Sequence, residues 1–132
     1  MNSALFRRLE KKASTEETRL EAGEITVHVV PGSDRLTIAV AGRTTVDSSP
    51  NLRSVLLGLL RRSTAPVVVI DLSAVSFLDL SGIAILLEAL KAARERSVKL
   101  RLAGMGGQVR ALAEIVQLDT IYRTWGAEVE FR

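Results

Sequence analysis

The side chains best suited to chemistry stand together in one short stretch, Val75-Ser76-Phe77-Leu78-Asp79-Leu80-Ser81-Gly82-Ile83-Ala84. Asp79 brings a carboxylate, Ser81 a hydroxyl, and Gly82 a backbone with no side chain over it. An aspartate just before a helix accepts hydrogen bonds from the unpaired N–H groups of the first turn, here those of Ser81 or Gly82. The helix start also presents free donors and partial positive charge. Glycine in a first turn costs helix propensity, so Gly82 marks a place where the backbone comes close to something. That neighbour is either another molecule or the strand beneath, and the local pattern leaves both open.

Other candidates are weaker on chemical grounds. Gly104-Met105-Gly106-Gly107 looks like a fragment of a phosphate-binding loop, yet it lacks the Gly-Lys-Ser/Thr ending and the dinucleotide spacing. It reads as a turn into a helix. Asp71 falls at a strand end with no acid-base partner, so Asp71 and Asp79 do not make a working carboxylate pair. His28 lies on the polar side of an early strand and reads as a surface residue. Tyr122 and Trp125 read as cover for a sheet edge rather than as a ligand stack. No catalytic constellation emerges. The chain is expected not to be an enzyme and to use no cofactor.

Composition narrows the remaining classes. With no cysteine there is no disulfide, thiolate zinc site or cysteine nucleophile, and one histidine rules out a multi-histidine metal site. Eighteen basic against fifteen acidic residues leave a net charge of +3, and the excess is scattered. Aromatics are only 4% of the chain and interleave with no basic run, so no nucleic-acid partner is expected. No stretch approaches the ~20 apolar residues of a membrane span. The opening MNSALFRRLEKK lacks the apolar core of a secretory signal. No membrane insertion and a cytoplasmic location are expected.

The elements that must position the Asp79 turn follow from periodicity. Residues 1–23 are charged and poor in large apolar side chains; Leu5, Phe6 and Leu9 could form one stripe of a short helix, with Ala13–Glu21 as linker. They are expected to be an extension, with the domain at 24–132. Ile25, Val27 and Val29 alternate with polar residues as a strand, Pro31–Asp34 turns, and Leu36, Ile38 and Val40 form a second strand that Gly42 ends. Ser48 or Ser49 is placed to cap a helix with Pro50 in its first turn, apolar at Leu52, Val55, Leu56 and Leu59. Val67–Ile70 is an unbroken β-branched run, expected to be a central strand covered on both faces. A turn follows through Ser73–Asp79, then a helix over 80–95 and a strand at Val98–Leu102. A third helix carries Val109, Leu112, Ala113 and Val116; a last strand is expected at Glu128–Phe131, and a weaker one at Ile121–Tyr122. The result is an α/β domain with a mixed four- to five-stranded sheet and helices after strands 2, 3 and 4.

This order, together with the strand Val67–Leu72 and the segment Phe77–Ala84 (FLDLSGIA), resembles the STAS family: anti-sigma-factor antagonists and the related domain of sulphate transporters. The resemblance spans roughly residues 24–131. It implies a regulator of transcription that binds an anti-sigma factor, itself a kinase, and frees a sigma factor. In that family the kinase phosphorylates the serine or threonine directly after the aspartate.

Here that position is Leu80, which cannot take a phosphate, and Ser81 is the only hydroxyl left in the turn. Where antagonists often carry Gly-Glu-Leu-Asp, this chain has Gly42-Arg43-Thr44-Thr45, with Thr45 in place of the acid. Both departures belong to the kinase reaction. The expectation is a binder that is constitutive or otherwise controlled, with Thr45, Asp47, Ser48, Asp79, Leu80, Ser81, Gly82 and Ile83 at its partner surface. Ser81 is the candidate phosphorylation site. The expected partner is an anti-sigma factor or switch kinase, with a homodimer as a further form. Rival readings are a STAS subunit of a transport ATPase complex and a nucleotide-binding STAS domain.

Overall fold

The structure, a computed structural model, describes residues 18–22 and 24–132. The strands are β1 (Thr18–Ala22), β2 (Ile25–Val30), β3 (Arg35–Thr44), β4 (Val67–Leu78), β5 (Lys99–Met105) and β6 (Glu128–Phe131). The helices among the described residues are α1 (Ser49–Arg62), α2 (Leu80–Glu95), α3 (Gly107–Ile115) and α4 (Leu118–Thr124). The strands line up in chain order as one six-stranded sheet. β1 to β3 pair antiparallel, and β3 to β6 pair parallel. β2 to β6 are the expected strands. β1 adds a sixth, drawn from a segment expected to lie outside the domain. The stripe at Leu5, Phe6 and Leu9 lies outside the described residues.

Each parallel crossover steps the same way across the sheet, and right-handed connections therefore put all four helices on one face. Burial follows. Ile25, Val27, Val29, Leu36, Ile38, Val40, Leu100 and Leu102 point into the helical layer and are buried, while the residues between them are partly exposed. Val67–Ile70 is central as its β-branched run requires. Among the described residues the expected second cover is not a helix layer, because their helices share one face. Val69 is nonetheless buried on the other face, where no helix of the described residues lies, flanked in register by Thr37 and Arg101.

Three other expectations change. β4 continues through the expected turn as far as Leu78, and β3 runs past Gly42 to Thr44. The β3–β4 register shifts twice, at Ala39/Ala41 and at Gly42/Arg43, each time with one extra residue on β4. Those bulges break the period-2 alternation, which is why Ser73–Asp79 reads as a turn. Ile121 and Tyr122 lie in α4, not in a strand; Leu118, Ile121 and Tyr122 have helical spacing, and Gln117 takes a left-handed φ of 58° to separate α4 from α3. Tyr122 does not cover a sheet edge either. It is fully buried, and its hydroxyl donates to the Leu86 carbonyl of α2.

Burial pushes the phenol of Tyr122, the single tyrosine, above its ordinary pKa. The unfolded chain titrates near about pH 10, so this contribution to stability is whole below about pH 10 and fades as pH rises beyond it. Tyrosinate absorbance should stay flat through about pH 10 and rise only together with loss of the helical circular-dichroism signal. Phenolate appearing near about pH 10 with the helices intact would show that Tyr122 is not sealed beneath α2.

Candidate functional site

β3 and β4 stop at one level, where Thr44 pairs with Leu78. The Asp79 N–H then donates to the Thr44 carbonyl at 3.2 Å, tying together the two loops that leave the sheet. Asp79 sits in extended backbone as the N-cap of α2. Its Oδ1 accepts from the N–H groups of Ser81 at 2.9 Å and Gly82 at 3.3 Å, and from the Ser81 hydroxyl. Partial desolvation pushes the Asp79 carboxyl up. The hydrogen bonds from the Ser81 hydroxyl and from the Gly82, Ser81 and Val46 backbones outweigh it, and the net direction is down.

The close neighbour that Gly82 implies is internal. A Cβ there would lie 2.2 Å from Leu78 Cδ1 and 3.1 Å from Thr44 Cγ2, so the first turn of α2 rests directly on the ends of β4 and β3. Ile83 is buried in the core behind it. Leu80 cannot follow them inward. It is 65% exposed, and Val46, equally two residues beyond the Thr44–Leu78 pair, is 67% exposed.

The loop from β3 to α1 is organised by Ser48. This residue is buried, its hydroxyl donating to the Arg43 carbonyl at 2.9 Å and accepting from the Thr45 N–H at 3.0 Å. Neither Ser48 nor Ser49 makes the expected side-chain cap of α1, because Ser48 is spent inside the loop. Thr45 Oγ1 accepts from the Asp47 N–H at 3.3 Å, and the Asp47 side chain is exposed. The structure thus brings Thr45, Asp47, Asp79, Leu80 and Ser81 to one rim and places Ser48, Gly82 and Ile83 beneath it.

Three supporting residues were not singled out from the sequence. Val46 gave no signal beyond being apolar in a loop. Gln108 of α3 accepts from the Leu78 N–H at 2.9 Å and donates to the Leu78 carbonyl at 2.7 Å. β5 pairs with β4 only as far as Asp71, so Gln108 takes the place of a neighbouring strand. Arg132 donates to the Ser73 carbonyl at 2.8 Å, at the first bulge. On the flank, Arg53 of α1 grips Glu88 of α2 at 2.8 and 2.9 Å, holding the Glu88 carboxyl below its ordinary pKa. Beside that pair runs a shallow groove of about 350 Å³ lined by Ser49, Pro50, Ser54, Ser81 and Ala84.

Of the two carboxylates on this rim, that of Asp79 caps α2 and that of Asp47 is exposed. Among the described residues no three His, Asp or Glu side chains are grouped to hold a metal, and no helix is long and apolar enough to cross a membrane.

The family model described as Mlab, STAS domain, matches residues 27–123, from β2 to α4. The chain belongs to the STAS domain family. Among solved structures, this STAS domain is similar to an anti-sigma factor antagonist from Mycobacterium paratuberculosis. The two are 26% identical with a TM-score of 0.66, over 77% of this chain and 86% of that one. A variant of RsbS from Moorella thermoacetica is 20% identical with a TM-score of 0.63, over 80% and 86%. The Bacillus protein SpoIIAA in its phosphorylated form is 11% identical with a TM-score of 0.56, over 87% and 90%. At those two identities the likeness is one of fold alone. No curated protein matches the chain. The α/β architecture of this STAS domain is that of its solved neighbours.

The cap sets a test of the site's geometry. Asp79→Ala should cost about 1 kcal/mol of stability at neutral pH. A carboxyl whose folded pKa is lowered stabilises above its unfolded value and loses that contribution as pH falls through the folded one. The deficit should therefore shrink below about pH 4, as the wild-type carboxyl takes up its proton. Urea unfolding of both proteins on either side of that pH reads the difference. An equal deficit at both would mean that the carboxylate is not what holds the turn.

Proposed function

We propose that this STAS domain is a cytoplasmic, anti-sigma-factor-antagonist-like regulator of transcription that acts by binding another protein. The observation that carries the reading is the exposure of Leu80 at the start of α2, beside Val46. Burying a leucine side chain against a partner contributes roughly 1.5–3 kcal/mol, and Val46 extends the same apolar spot. Thr45, Asp47 and Ser81 form its polar edge; Asp79, Ser48, Gly82 and Ile83 act by holding it in place. The partner is an anti-sigma factor or switch kinase; a solved neighbour of this fold is named as an anti-sigma factor antagonist, which supports the first.

The binding is constitutive or controlled by something other than phosphate at the usual position. Leu80 has no hydroxyl, and the Ser81 hydroxyl is engaged by the Asp79 carboxylate. A phosphate on Ser81 would bring about −1.5 to −2 of charge against that carboxylate and break the cap. Incubation with the switch kinase should therefore leave Ser81 unmodified by mass spectrometry. A permanent apolar contact at Leu80 also suits a STAS subunit held on a transport ATPase, and titration against both kinds of partner separates the two readings.

Leu80→Asp should weaken binding of the cognate anti-sigma factor by at least about tenfold in calorimetric titration. The unfolding midpoint should stay unchanged, since the side chain already faces water. Undiminished affinity in a folded variant would remove Leu80 from the interface, and the proposed role with it.

A further inference from the structure

The far half of α2 carries a second concave surface. Between α2 and α4 lies a groove of about 530 Å³, with Leu90 at its floor and Leu87, Ile121 and Trp125 along its sides. Leu87 is 36% and Trp125 46% exposed, so apolar surface stays uncovered there. Leu90 is about 15 Å along the helix from Leu80, at 1.5 Å per residue, which makes this a surface separate from the Asp79 rim. The Arg94 guanidinium lies 4.1 Å from the centre of the Trp125 ring and holds the indole against the groove.

Charge says what fits. Arg43, Arg53, Arg101, Arg110 and Arg123 each have a carboxylate within ion-pair distance. Among the described residues, Lys91 and Arg94, on the groove's rim, have no carboxylate that close: Lys91 acts on the Glu88 carboxyl from farther off, and Arg94 faces the Trp125 ring. Glu95 is the one acid on the same rim, set at the last turn of α2. A trough between two helices receives a third helix by its ridge of side chains. A flat surface would leave the floor at Leu90 untouched.

We infer that the α2–α4 groove is a second docking surface, taking an acidic amphipathic helix from another protein. Apolar side chains of that helix at i, i+3/i+4 and i+7 fill the space over Leu90 and against Trp125, and its carboxylates meet Lys91 and Arg94. This surface is independent of the one proposed at Leu80.

Trp125 is the only tryptophan, so its emission reports the groove directly. The full chain is titrated with a synthetic, tryptophan-free helix of about four turns carrying leucines at those spacings and glutamates elsewhere. The same peptide with lysines for glutamates, and vesicles of equal parts phosphatidylcholine and phosphatidylglycerol, are titrated alongside. A saturable blue shift with the acidic peptide alone is expected. The double variant K91E/R94E should bind that peptide at least about tenfold more weakly and turn to the lysine peptide instead. An equal response to both peptides, or none to the acidic one, overturns the inference. So does a shift with the vesicles alone, which would make the patch a membrane contact, or a shift with protein concentration alone, which would make it a self-association surface.

Discussion

Across the ends of two parallel strands, the Asp79 N–H donates to the Thr44 carbonyl, and that bond ties together the two loops that carry the candidate site. It requires β3 and β4 to end level, and the two bulges on β4 bring this about. One bulge alone would turn the side chains beyond it to the opposite face. The second restores the facing, so that Leu78 enters the core beside Thr44 and both are buried. From there the chain has little freedom. Gly82 closes onto Leu78 and Thr44, Asp79 fills the open donors of the helix, and of the two residues between them Leu80 is left pointing outward. Leu80 is exposed because Leu78, Gly82 and Ile83 take the places on the core side of the turn.

Much of this was legible in the residues, and the parts that were not share a cause. The bounds of α2, the cap by Asp79 and the central place of Val67–Ile70 depend on signals within a few residues, and those signals hold. The extension of β4 depends on which residue of β3 lies opposite, and no local pattern encodes that: Ser73, Ala74 and Ser76 look like a turn until the register supplies partners. The Ser48 cap fails for a similar reason. Its hydroxyl had two acceptable uses, and the one taken joins Arg43 to Thr45 across the loop. Gly82 was correctly read as a close approach, but only the fold shows that strand ends, not a partner, do the approaching. β1 went unseen because alternating charge, with Arg19 and Glu21 between Thr18, Leu20 and Ala22, suits an edge strand as well as a linker.

Helix α2 joins the two surfaces, and its rigidity has consequences. Its inner residues Ile83, Leu86, Ala89, Leu90 and Ala93 are buried, so the helix does not shift relative to the sheet without opening the core. The Arg53–Glu88 grip fixes its middle to α1. Whatever binds at Leu80 and whatever binds beside Trp125 therefore meet a fixed spacing and orientation.

The replacement of a hydroxyl by leucine beside the cap changes the kind of control such a surface can have. A serine at position 80 would make the interface breakable by a covalent charge, because a phosphate brings strong repulsion and a desolvation cost to a site otherwise closed by contact. Under the proposed function, leucine removes that lever and adds apolar area, and the interface answers to how much of each partner is present. On that reading, competition between partners decides occupancy, and the polar edge at Thr45, Asp47 and Ser81 supplies specificity. Thr45, with no acid at that position, fits the proposed arrangement, in which the surface keeps only the groups that shape a contact. A loop held by the buried Ser48 hydroxyl and a turn held by the Asp79 carboxylate are suited to that use, because both are rigid before the partner arrives and little ordering entropy remains to be lost on binding.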